Sequence, residues 1–428
     1  MRCWRRSLAV ALLLPLVGGC QGYRVSFHTP PRPPYKALAR PTVYADDLDV
    51  AGLRKAADAS MEYFATGGKR RSYTLGSDTF SPTQVARSVE RFMQMVEETP
   101  PGKLQGRLAR ECRGYKPSKG GRFTAYYEPV LRANDRPTSR YRYPLYEKPD
   151  GLTLVRLARF FPGDGRQIHG RLHGGELLPF LTRTQIDGRQ MLEGRGLELA
   201  WVDDPVALYF LHIQGSGRLR LPDGDIMRVN FAASNGLPYT SIGRYMLDND
   251  IIRSGSSGAI RAYLKANPDT RNDILFKNSR YIFFREVDLA DDEGPIGSLG
   301  VPLVAGRSIA TDRRYVPPGA VMYIKTDAPV IDTRGDLVGW NEIGRFAFSH
   351  DSGAAIKGPG RADIYWGEGE YAGAAAGYMN QPGDMVVLMC GVDPMPRAAE
   401  KRPAGGAFER VAWPQVTARV ATAAGSGL

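Results

Sequence analysis

The clearest helical pattern in the chain follows Ser81 and Pro82. Apolar residues recur there at spacings of three and four, as on one face of a helix: Val85, Val89, Phe92, Met93 and Val96. Serine is a favoured N-cap, proline suits the first helical position, and the proline pair at 100–101 ends the run. The pattern predicts an amphipathic helix that packs on a core. Similar signals predict helices after Asp46 and near 241–247 and 257–266.

Runs rich in aromatic and β-branched residues, which are typical of strands, occupy much of the rest of the chain. They lie at 122–129, 141–146, 197–202, 207–214, 281–285, 321–325, 345–349, 362–366 and 385–389. Residues 218–221 and 225–231 flank Pro222-Asp223-Gly224, which predicts a hairpin. Helices and strands come in blocks rather than in βαβ alternation, which argues against a doubly wound parallel sheet. The order favours a β-rich domain inserted into a second, α+β domain.

The bulk composition limits the classes of partner. A length of 428 residues allows two domains, and the net charge of +12 is spread along the chain. No run of five or more basic residues is present that would be typical of a nucleic-acid arm, so we expect no nucleic-acid partner. A diffuse basic surface suits an anionic partner, either a phospholipid headgroup or an acidic polymer, and charge alone does not decide between them.

The first residues are typical of an exported lipoprotein. Three arginines precede an apolar run at 8–17 that is too short for a permanent membrane helix. Small residues then lead to Cys20, as in a bacterial lipobox, so we predict a signal peptide over 1–19 and a lipid on Cys20. An ordinary cleaved signal with an incidental cysteine is the alternative. Gln21, rather than aspartate, follows Cys20, which favours the outer membrane, with the protein facing the periplasm.

Two further segments and a cysteine pair complete the organisation. Residues 20–45 are rich in proline and predict an extended tether. Residues 394–428, rich in Ala, Gly, Pro and Arg, predict a largely disordered tail. Cys112 and Cys390 are the cysteines left outside the predicted signal peptide and lipidation site. An oxidising periplasm permits a disulfide between them, which we treat as a hypothesis.

The sequence lacks the motifs of several enzyme classes. It has no Walker loop and no Gly-x-Ser-x-Gly elbow, and Gly367-x-Gly369 does not have the spacing of a dinucleotide-binding loop. His169 and His173 have no third ligand nearby, so we predict no metal site. His350, beside Asp351, is either an acid-base group or a structural residue.

A short alternating segment holds the strongest candidate for chemistry. Along a strand, Arg361, Asp363 and Tyr365 share one face. Aspartate is depleted in strands, which favours a functional role for Asp363. An aspartate at a strand edge, paired with Arg361 or facing water, fits the same pattern.

Glycosidic cleavage needs a carboxylic acid that keeps its proton at working pH. A partly buried Asp363 beside Asp351 would have a raised pKa and would meet that need. Lys357 or Arg361 would oppose the rise by favouring the ionised form, and the sequence does not say which neighbour lies nearer.

Three other stretches are candidates for binding a substrate. Tyr126 and Tyr127 are adjacent aromatic residues able to stack on sugars, or one is buried and the other exposed. Residues 214–217 (QGSG) place two glycines around a hydroxyl, where backbone approaches a ligand closely or simply turns. Residues 312–319 (DRRYVPPG) form a proline turn before the strand at 321.

Together these stretches resemble the MltA-type membrane-bound lytic murein transglycosylases. The motifs that carry the resemblance, in family order, are FTAYYEPVL at 123–131, YRYPLY at 141–146, LELAWVDDP at 197–205, IQGSGRLRLPDG at 213–224, YTSIGRYML at 239–247, YIFFRE at 281–286, GPIGSLGVPL at 294–303, TDRRYVPPG at 311–319 and DSGAAIKGPGRADIYWGEG at 351–369. The last segment also resembles the three-aspartate domain, whose aspartates would be Asp312, Asp351 and Asp363.

The resemblance implies a mainly β fold with α: a double-psi β-barrel catalytic domain with an inserted second β-barrel domain and flanking helices. The catalytic domain would be discontinuous, over 46–130 and 240–393, with the insert over 131–239 and glycan in the groove between the two. Where the family has glycine before the tyrosine pair and in its D-x-G-G motif, this chain has Ala125 and Ala354. Both changes concern how closely backbone packs, since neither removes a reacting group.

The resemblance also assigns roles to residues. Asp363 would be the single catalytic aspartate and Asp351 a supporting carboxylate. The residues expected to contact substrate are Thr124, Tyr126, Tyr127, Gln214, Ser216, Asp312, Lys357 and Arg361.

The implied reaction is non-hydrolytic cleavage of the β-1,4 bond between N-acetylmuramic acid and N-acetylglucosamine in peptidoglycan, forming 1,6-anhydromuramoyl ends without a cofactor. The implied partners are peptidoglycan glycan strands, the outer membrane through the lipid anchor, and a complex of wall-remodelling proteins. Two other functions stay open. One is a glycoside hydrolase that uses Asp351 and Asp363 as a pair, and the other is a non-catalytic, expansin-like wall-binding lipoprotein.

Overall fold

The structure is a computed structural model that describes residues 34–39, 44–67, 71–162 and 166–396. The predicted signal peptide, Cys20, most of the tether and the tail from 397 onward lie outside the described residues. Within these ranges, no helix combines the length and the apolar character that crossing a bilayer requires.

Helices and strands alternate in blocks, as predicted. The helices are α1 Val50–Thr66, α2 Pro82–Glu98, α3 Pro101–Glu111, α4 Pro205–Gln214, α5 Ile242–Asp248, α6 Ser257–Ala266, α7 Pro268–Leu275 and α8 Gly369–Tyr378. The strands are β1 Tyr35–Ala37, β2 Tyr73–Leu75, β3 Asp78–Phe80, β4 Cys112–Pro117, β5 Gly121–Glu128, β6 Val130–Asn134, β7 Tyr143–Tyr146, β8 Thr153–Arg156, β9 Gln167–His173, β10 Glu176–Pro179, β11 Glu198–Val202, β12 Ser216–Arg220, β13 Ile226–Ser234, β14 Ile282–Glu286, β15 Ser308–Thr311, β16 Val321–Ile331, β17 Leu337–Asp351, β18 Arg361–Glu368 and β19 Asn380–Cys390.

Six strands close into a barrel. Their order is β19-β16-β17-β15-β18-β5, and β5 pairs back onto β19. Two neighbouring pairs, β5 with β18 and β15 with β17, are parallel, and the other pairs of the ring are antiparallel. Closure removes the unpaired strand edges that an open sheet would present. This barrel confirms the predicted double-psi β-barrel.

The helix predicted after Ser81 packs on the barrel core. The Ser81 side chain accepts from the Gln84 amide, and the Gln84 side chain accepts from the Ser81 amide, which forms a capping box. Val85, Val89 and Phe92 are fully buried, and the Phe92 ring lies 4.9 Å from that of Phe346 in β17. Burying each such side chain contributes about 1.5–3 kcal/mol, so this face holds α2 on the barrel.

A second sheet forms the predicted inserted barrel. Its strand order is β14-β13-β12-β6-β11-β7, and a bridge between Glu147 and Phe284 joins its two edges. The last strand of this sheet is β14, Ile282–Glu286, which follows helices α5 to α7, whereas we predicted that the insert ends at 239. The boundary was predicted too early because α5 to α7 precede β14. Their sequence pattern resembles that of the N-terminal helices, so they were assigned to the catalytic domain. A separate three-stranded sheet, β8-β9-β10, is formed by residues between β7 and β11 of the same part of the chain.

One predicted strand is a helix. Residues 207–214 belong to α4, which begins after Asp204, whose side chain accepts from the Val206 and Ala207 amides. Pro205 occupies the first turn, and Gly215 ends the helix in the left-handed conformation. The sequence prediction was wrong because α4 is apolar on nearly all sides and shows no helical period. The structure also contains elements that the pattern did not predict, namely β1 to β4, β6, β8 to β10, β15, α3, α7 and α8.

The disulfide between Cys112 and Cys390 is confirmed. The two residues face each other in the antiparallel pair β4–β19, and their bond spans a sequence separation of 278 residues. It therefore fixes the last barrel strand to the strand that precedes β5.

Candidate active site

Asp363 lies in the barrel wall with its side chain on the outer face. On β18, Ala362 and Ile364 point into the barrel core, so Arg361, Asp363 and Tyr365 take the opposite face, as predicted. The Asp363 side chain is half-buried there. It is therefore neither a core residue nor a freely solvated strand edge.

Strand pairing brings the second aspartate to the same face. Ala310 on β15 pairs with Asp363 on one side and with Asp351 on the other, while Thr124 on β5 pairs with Asp363 from its far side. The two aspartates are thus two strand spacings apart, about 10 Å between Cα atoms. The negative charge of Asp351 raises the pKa of Asp363 across this distance.

Burial is the largest cause of the shift at Asp363. It raises the pKa of that carboxyl to about 6, against opposing contributions from a Thr124 hydrogen bond and the Arg361 charge, with a further rise from Asp351. Burial disfavours the ionised form because the carboxylate loses water that stabilised it. The side chain therefore holds its proton up to a pH about two units above the ordinary pKa of aspartate.

Arg361 acts on Asp363 through a hydroxyl. Its guanidinium donates to Thr124 Oγ1 at 2.7 Å, and the Thr124 hydroxyl in turn donates to Asp363 Oδ1. Arg361 also donates to two backbone carbonyls, those of Arg122 and Ala362. Among the described residues, this relay takes the place of the predicted direct pair between Arg361 and Asp363.

Asp351 is held by three donors. The Tyr126 hydroxyl donates to Oδ2 at 3.0 Å, and the backbone amides of Ser298 and Ser352 donate to Oδ1 at 2.8 Å each. Three hydrogen bonds hold the Asp351 carboxyl group in one position. Asp351 is therefore held where its charge raises the pKa of Asp363.

The two adjacent tyrosines have different surroundings, and both are half-buried. Tyr126 faces the aspartates, and its ring lies 5.5 Å from that of Tyr365. The Tyr127 backbone amide donates to Gln214 at 3.2 Å, and its hydroxyl accepts from Arg261 at 2.9 Å. Burial raises the pKa of both phenols. Tyr126 thus lies on the same outer face as Asp351 and Asp363, while Tyr127 connects the barrel to α4.

Residues 214–217 connect a helix to a strand rather than end a strand. Gln214 is the last residue of α4, and Gly215 (φ 84°) makes the turn. Ser216 opens β12, is 8% exposed and pairs with Asn230. Gln214 is therefore brought to the end of β5, and Ser216 lies inside the second sheet.

Among the described residues, no hydrogen bond or ion pair joins Asp312 or Lys357 to Asp351 or Asp363. Asp312 is 4% exposed, and its carboxylate accepts from the Arg314 guanidinium and from the Gly358 amide at 2.8 Å. Burial opposes ionisation there, but these donors outweigh it and lower the pKa of Asp312. Asp312 thus anchors the loop that leads into β18, with help from Tyr35, whose hydroxyl donates to the Pro359 carbonyl. Lys357, on this loop, is exposed.

His350 is a structural residue. It is fully buried, and its two ring nitrogens bond to Ser60 and Ser308 at 2.8 Å each. Burial lowers the pKa of His350 to about 3. A neutral imidazole with both nitrogens occupied cannot exchange protons with a substrate.

Sequence reasoning missed an ion cluster at the junction of the two sheets, here called the Glu128 cluster. Glu128, at the end of β5 and 1% exposed, pairs with Arg218 and Arg228 of β12 and β13. Arg218 also pairs with Glu368 of β18 and donates to the Asp291 and Glu293 carbonyls. The only signal in the sequence was charged residues in strand-like runs.

A cleft of about 310 Å³ adjoins the Glu128 cluster and is lined by Lys55, Arg218, Asp292, Tyr365 and Glu368 among others. Among the described residues, no group of three or more His, Cys, Asp or Glu side chains is placed to hold a metal ion.

Two family models match the chain. The MltA specific insert domain matches residues 122–285, and the 3D domain matches residues 307–389. The first covers β5 to β14, and the second covers the barrel strands β15 to β19. Both aspartates of the site fall in the second match.

Solved structures and curated relatives agree. A membrane-bound lytic murein transglycosylase from Agrobacterium tumefaciens is 31% identical, with a TM-score of 0.65 over 81% of this chain and 97% of that one. MltA from Neisseria gonorrhoeae is 30% identical, with a TM-score of 0.58 over 84% and 94%. Escherichia coli MltA with bound chitohexaose is 22% identical and shares the fold, with a TM-score of 0.62 over 84% and 96%.

In sequence alone, membrane-bound lytic murein transglycosylase A from Escherichia coli K12 is 30% identical over 270 residues. That match covers 62% of this chain and 65% of the relative's length.

Proposed function

We propose, because this chain belongs to the MltA family of membrane-bound lytic murein transglycosylases, that it cleaves the glycan strands of peptidoglycan without water. The bond is the β-1,4 link between N-acetylmuramic acid and N-acetylglucosamine, and the product carries a 1,6-anhydromuramoyl end. The observation that carries the proposal is the half-buried Asp363, whose pKa of about 6 lets one carboxyl group both donate and accept a proton near neutral pH.

Asp363 acts first as an acid and then as a base. Its protonated form donates to the leaving O4 of N-acetylglucosamine as the bond from that oxygen to muramoyl C1 breaks. The C6 hydroxyl of the same muramoyl unit attacks C1, and its proton passes to the Asp363 carboxylate. One proton leaves and one returns, so the enzyme is regenerated and no water is consumed. The nucleophile belongs to the substrate, so positioning replaces activation by a second base.

The setting of Asp351 favours this reaction over hydrolysis by a carboxylate pair. A hydrolase of that kind needs the second carboxylate to activate water or to attack C1. Both Asp351 oxygens already accept hydrogen bonds, from Tyr126 on one side and from the Ser298 and Ser352 amides on the other. We assign to Asp351 the supporting role of a fixed charge that helps Asp363 keep its proton.

The proposed glycan path runs over the outer face of β5 and β18, between the barrel and α4. Thr124 and Tyr126 share that face with Asp363, and Gln214 borders it. Arg361 and Lys357 add positive charge for the lactyl or peptide carboxylates of the substrate. The remaining residues expected to contact substrate are Tyr127, Ser216 and Asp312. They lie behind the face that carries Asp363 and support the elements that form the path. That the ligand is a glycan is supported by the related E. coli structure, in which chitohexaose is bound.

The proposed location is the periplasmic face of the outer membrane, with Cys20 carrying the lipid anchor. The names of the curated relatives, which describe them as membrane-bound, support a membrane association. A complex of wall-remodelling proteins is the proposed partner beyond murein itself.

The test compares Asp363→Asn with the unmodified protein on purified murein, with products identified by mass spectrometry. We expect Asp363→Asn to release anhydromuropeptides at least about 100-fold more slowly than the unmodified protein. This corresponds to a loss of about 3 kcal/mol of transition-state stabilisation. Asp384→Asn is the matched control, since Asp384 is an exposed aspartate on another strand of the same barrel. Normal release by Asp363→Asn would overturn the assignment, and products with reducing ends would indicate a hydrolase.

A further inference from the structure

The segment 287–307 joins β14 of the second sheet to β15 of the barrel. Part of this segment folds back on itself, because the Leu303 amide donates to the Pro295 carbonyl at 2.9 Å. We call residues 295–303 the linker hairpin. Near its tip lies Ser298, whose backbone amide holds one of the two carboxylates of the site. The linker hairpin therefore reaches the active-site face from outside the barrel strands.

The tip of the linker hairpin is bonded to the end of β17. The Ser298 amide donates to Asp351 Oδ1 at 2.8 Å, and the hydroxyl oxygens of Ser298 and Ser352 lie 3.0 Å apart. The Leu299 amide donates to the His350 carbonyl at 3.3 Å. Because Ser298 is itself a donor to Asp351, a displacement of the hairpin changes how that carboxylate is held.

On the second sheet, Asn230 of β13 bonds to the base of the linker hairpin. Its side-chain nitrogen donates to the Ile296 carbonyl at 2.9 Å, and its side-chain oxygen accepts from the Ile296 amide at 3.0 Å. Asn230 is only 5% exposed. Two bonds from one planar amide group to both polar groups of the same residue fix the position and the orientation of that residue. Asn230 thus ties the second sheet to a point two residues before Ser298.

We infer that Asn230 is a positioning residue for the cleavage reaction. Through Ile296 it sets the place of the Ser298 amide. That amide in turn holds Asp351, whose charge acts on Asp363. The inference rests on the proposed function, because it concerns the placement of the carboxylates that the reaction uses. It gives the second sheet a part in the catalytic geometry in addition to the binding of glycan.

The bonds within the linker hairpin do not replace those of Asn230. They keep the shape of the hairpin but allow it to move as a unit. Without Asn230, the polar groups of Ile296 lose these partners, and water reaches them only if the hairpin moves away from β13. A movement of about 1 Å is enough to break a hydrogen bond of ordinary length, such as the one from Ser298 to Asp351.

The start of the linker has separate attachments to the second sheet. Arg218 and Arg228 donate there to the carbonyls of Ala290, Asp291 and Glu293. A change at Asn230 leaves these bonds in place, so we expect the fold to be kept and the effect to be confined to the linker hairpin.

The first test follows hydrogen exchange of the linker hairpin by mass spectrometry and does not depend on any reaction. Asn230→Leu keeps the approximate size of the side chain and removes both hydrogen bonds. We expect residues 295–303 to exchange at least about tenfold faster in this variant than in the unmodified protein. Asn230→Ala also removes both bonds and should give the same result if leucine does not fit.

The matched control is Thr326→Val. Thr326 is also 5% exposed, and its hydroxyl donates to the Pro382 carbonyl at 2.8 Å where β16 meets β19. The control therefore removes a buried bond from a side chain to the backbone without touching the linker hairpin. Exchange of residues 295–303 should be unchanged in it, and thermal unfolding of each variant checks that the fold is kept.

The second test compares kcat/KM of Asn230→Leu and the unmodified protein on soluble glycan strands. A loosened Asp351 can turn toward water, so its charge no longer helps Asp363 to keep its proton, and cleavage is lost first at higher pH. We expect kcat/KM to fall at least about threefold at pH 7.5 but less than about twofold at pH 5. A merely structural loss would lower both values equally.

A double variant shows whether the effect passes through Asp351. In the Asp351→Asn background, Asn230→Leu should cause no further loss that depends on pH, since the carboxylate it positions is gone. The other charged or titratable side chains around the two carboxylates are unaltered in all of these variants; they are Tyr126 of β5, Arg313 before β16, and Arg361 and Tyr365 of β18.

Three outcomes would overturn the inference: unchanged exchange of the linker hairpin in Asn230→Leu, the same pH-dependent loss in Thr326→Val, or an additive loss in the double variant. Failure of the proposed function has a different signature. The unmodified protein would then release no anhydromuropeptides, while the exchange test would still report whether Asn230 holds the linker hairpin.

Discussion

Asp363 and Asp351 pair with opposite sides of one residue, Ala310. The pairing with Asp363 on β18 is antiparallel, and the pairing with Asp351 on β17 is parallel. Strand β15 therefore lies between β17 and β18 in the barrel. The arrangement places both carboxylates on one outer face with a small residue between them. It explains why a charge that is fixed by backbone amides acts on the proton affinity of a half-buried acid.

Replacing Asp351 by asparagine should shift the pH dependence of cleavage to lower pH. The Asp351 charge raises the pKa of Asp363, so its removal lowers that pKa, although burial, the larger cause, remains. Asp363 must be protonated to act as the acid, and kcat/KM therefore falls as pH rises through the pKa of the free enzyme, about 6 in the unmodified protein. Profiles of kcat/KM on soluble glycan strands between pH 4.5 and 8 measure the shift.

The control for that experiment is Asp327→Asn, an exposed aspartate on β16. It should leave the profile unchanged. An Asp351→Asn profile that stays in place or moves to higher pH would contradict the assigned role.

Thr124→Val should move the same profile in the opposite direction. The Thr124 hydroxyl donates to Asp363 and lowers the pKa of that carboxyl, so its loss raises the pKa. Arg361 loses its bond to Thr124 Oγ1 at the same time and becomes freer to move. Thr124→Ser keeps a hydroxyl at the same place and should restore the original profile. Profiles of Thr124→Val and Asp351→Asn that shift together would show that the two neighbours do not act on Asp363 as described.

The outer-face position of Asp363 was predictable because strand alternation is a local property. Ala362 and Ile364 fix which way Asp363 points, whatever the rest of the barrel does. The donors that hold Asp351 were not predictable in the same way. Ser298 lies 53 residues before Asp351 and uses its backbone amide, which leaves no mark in side-chain chemistry.

Two errors in the sequence interpretation have physical causes. Helix α4 is buried on nearly every side, so its residues carry no amphipathic period, and only the cap at Asp204 and Pro205 marks it as a helix. The insert ends later than expected because β14 returns to the second sheet after three helices. Strand partners that are distant in sequence are set by the whole chain, so a one-dimensional pattern does not reveal them.

Glu128→Gln should destabilise the protein by about 3–5 kcal/mol. Glu128 is 1% exposed between Arg218 and Arg228, whose side chains are 12% and 4% exposed. The change leaves the buried Arg228 guanidinium without its counter-charge and leaves Arg218 with the half-exposed Glu368 alone. Urea unfolding followed by tryptophan fluorescence measures the free energy of unfolding.

The matched comparison for Glu128 is Glu342→Gln. Glu342 pairs with Lys325 at 3.0 Å, but the two side chains are 67% and 47% exposed. Exposed pairs are screened by water, so this change should cost less than about 1 kcal/mol. Equal costs at the two positions would mean that the Glu128 cluster does not hold the two sheets together.

His350 should make the protein less stable in mild acid. Burial keeps the pKa of His350 at about 3 in the folded protein, while an unfolded histidine titrates near 6.5. Its contribution to stability is therefore complete above about pH 6.5 and is lost as pH falls toward about 3, because only the unfolded chain binds the proton. Between pH 7.5 and 5 the loss amounts to about 2 kcal/mol, since each unit below 6.5 costs about 1.4 kcal/mol. Urea unfolding at the two pH values measures the change in the free energy of unfolding. That change should be smaller by about 2 kcal/mol in His350→Gln than in the unmodified protein. It should be unaltered in His173→Gln, which replaces an exposed histidine. A difference unchanged by His350→Gln would mean that the buried imidazole takes up a proton in the folded state.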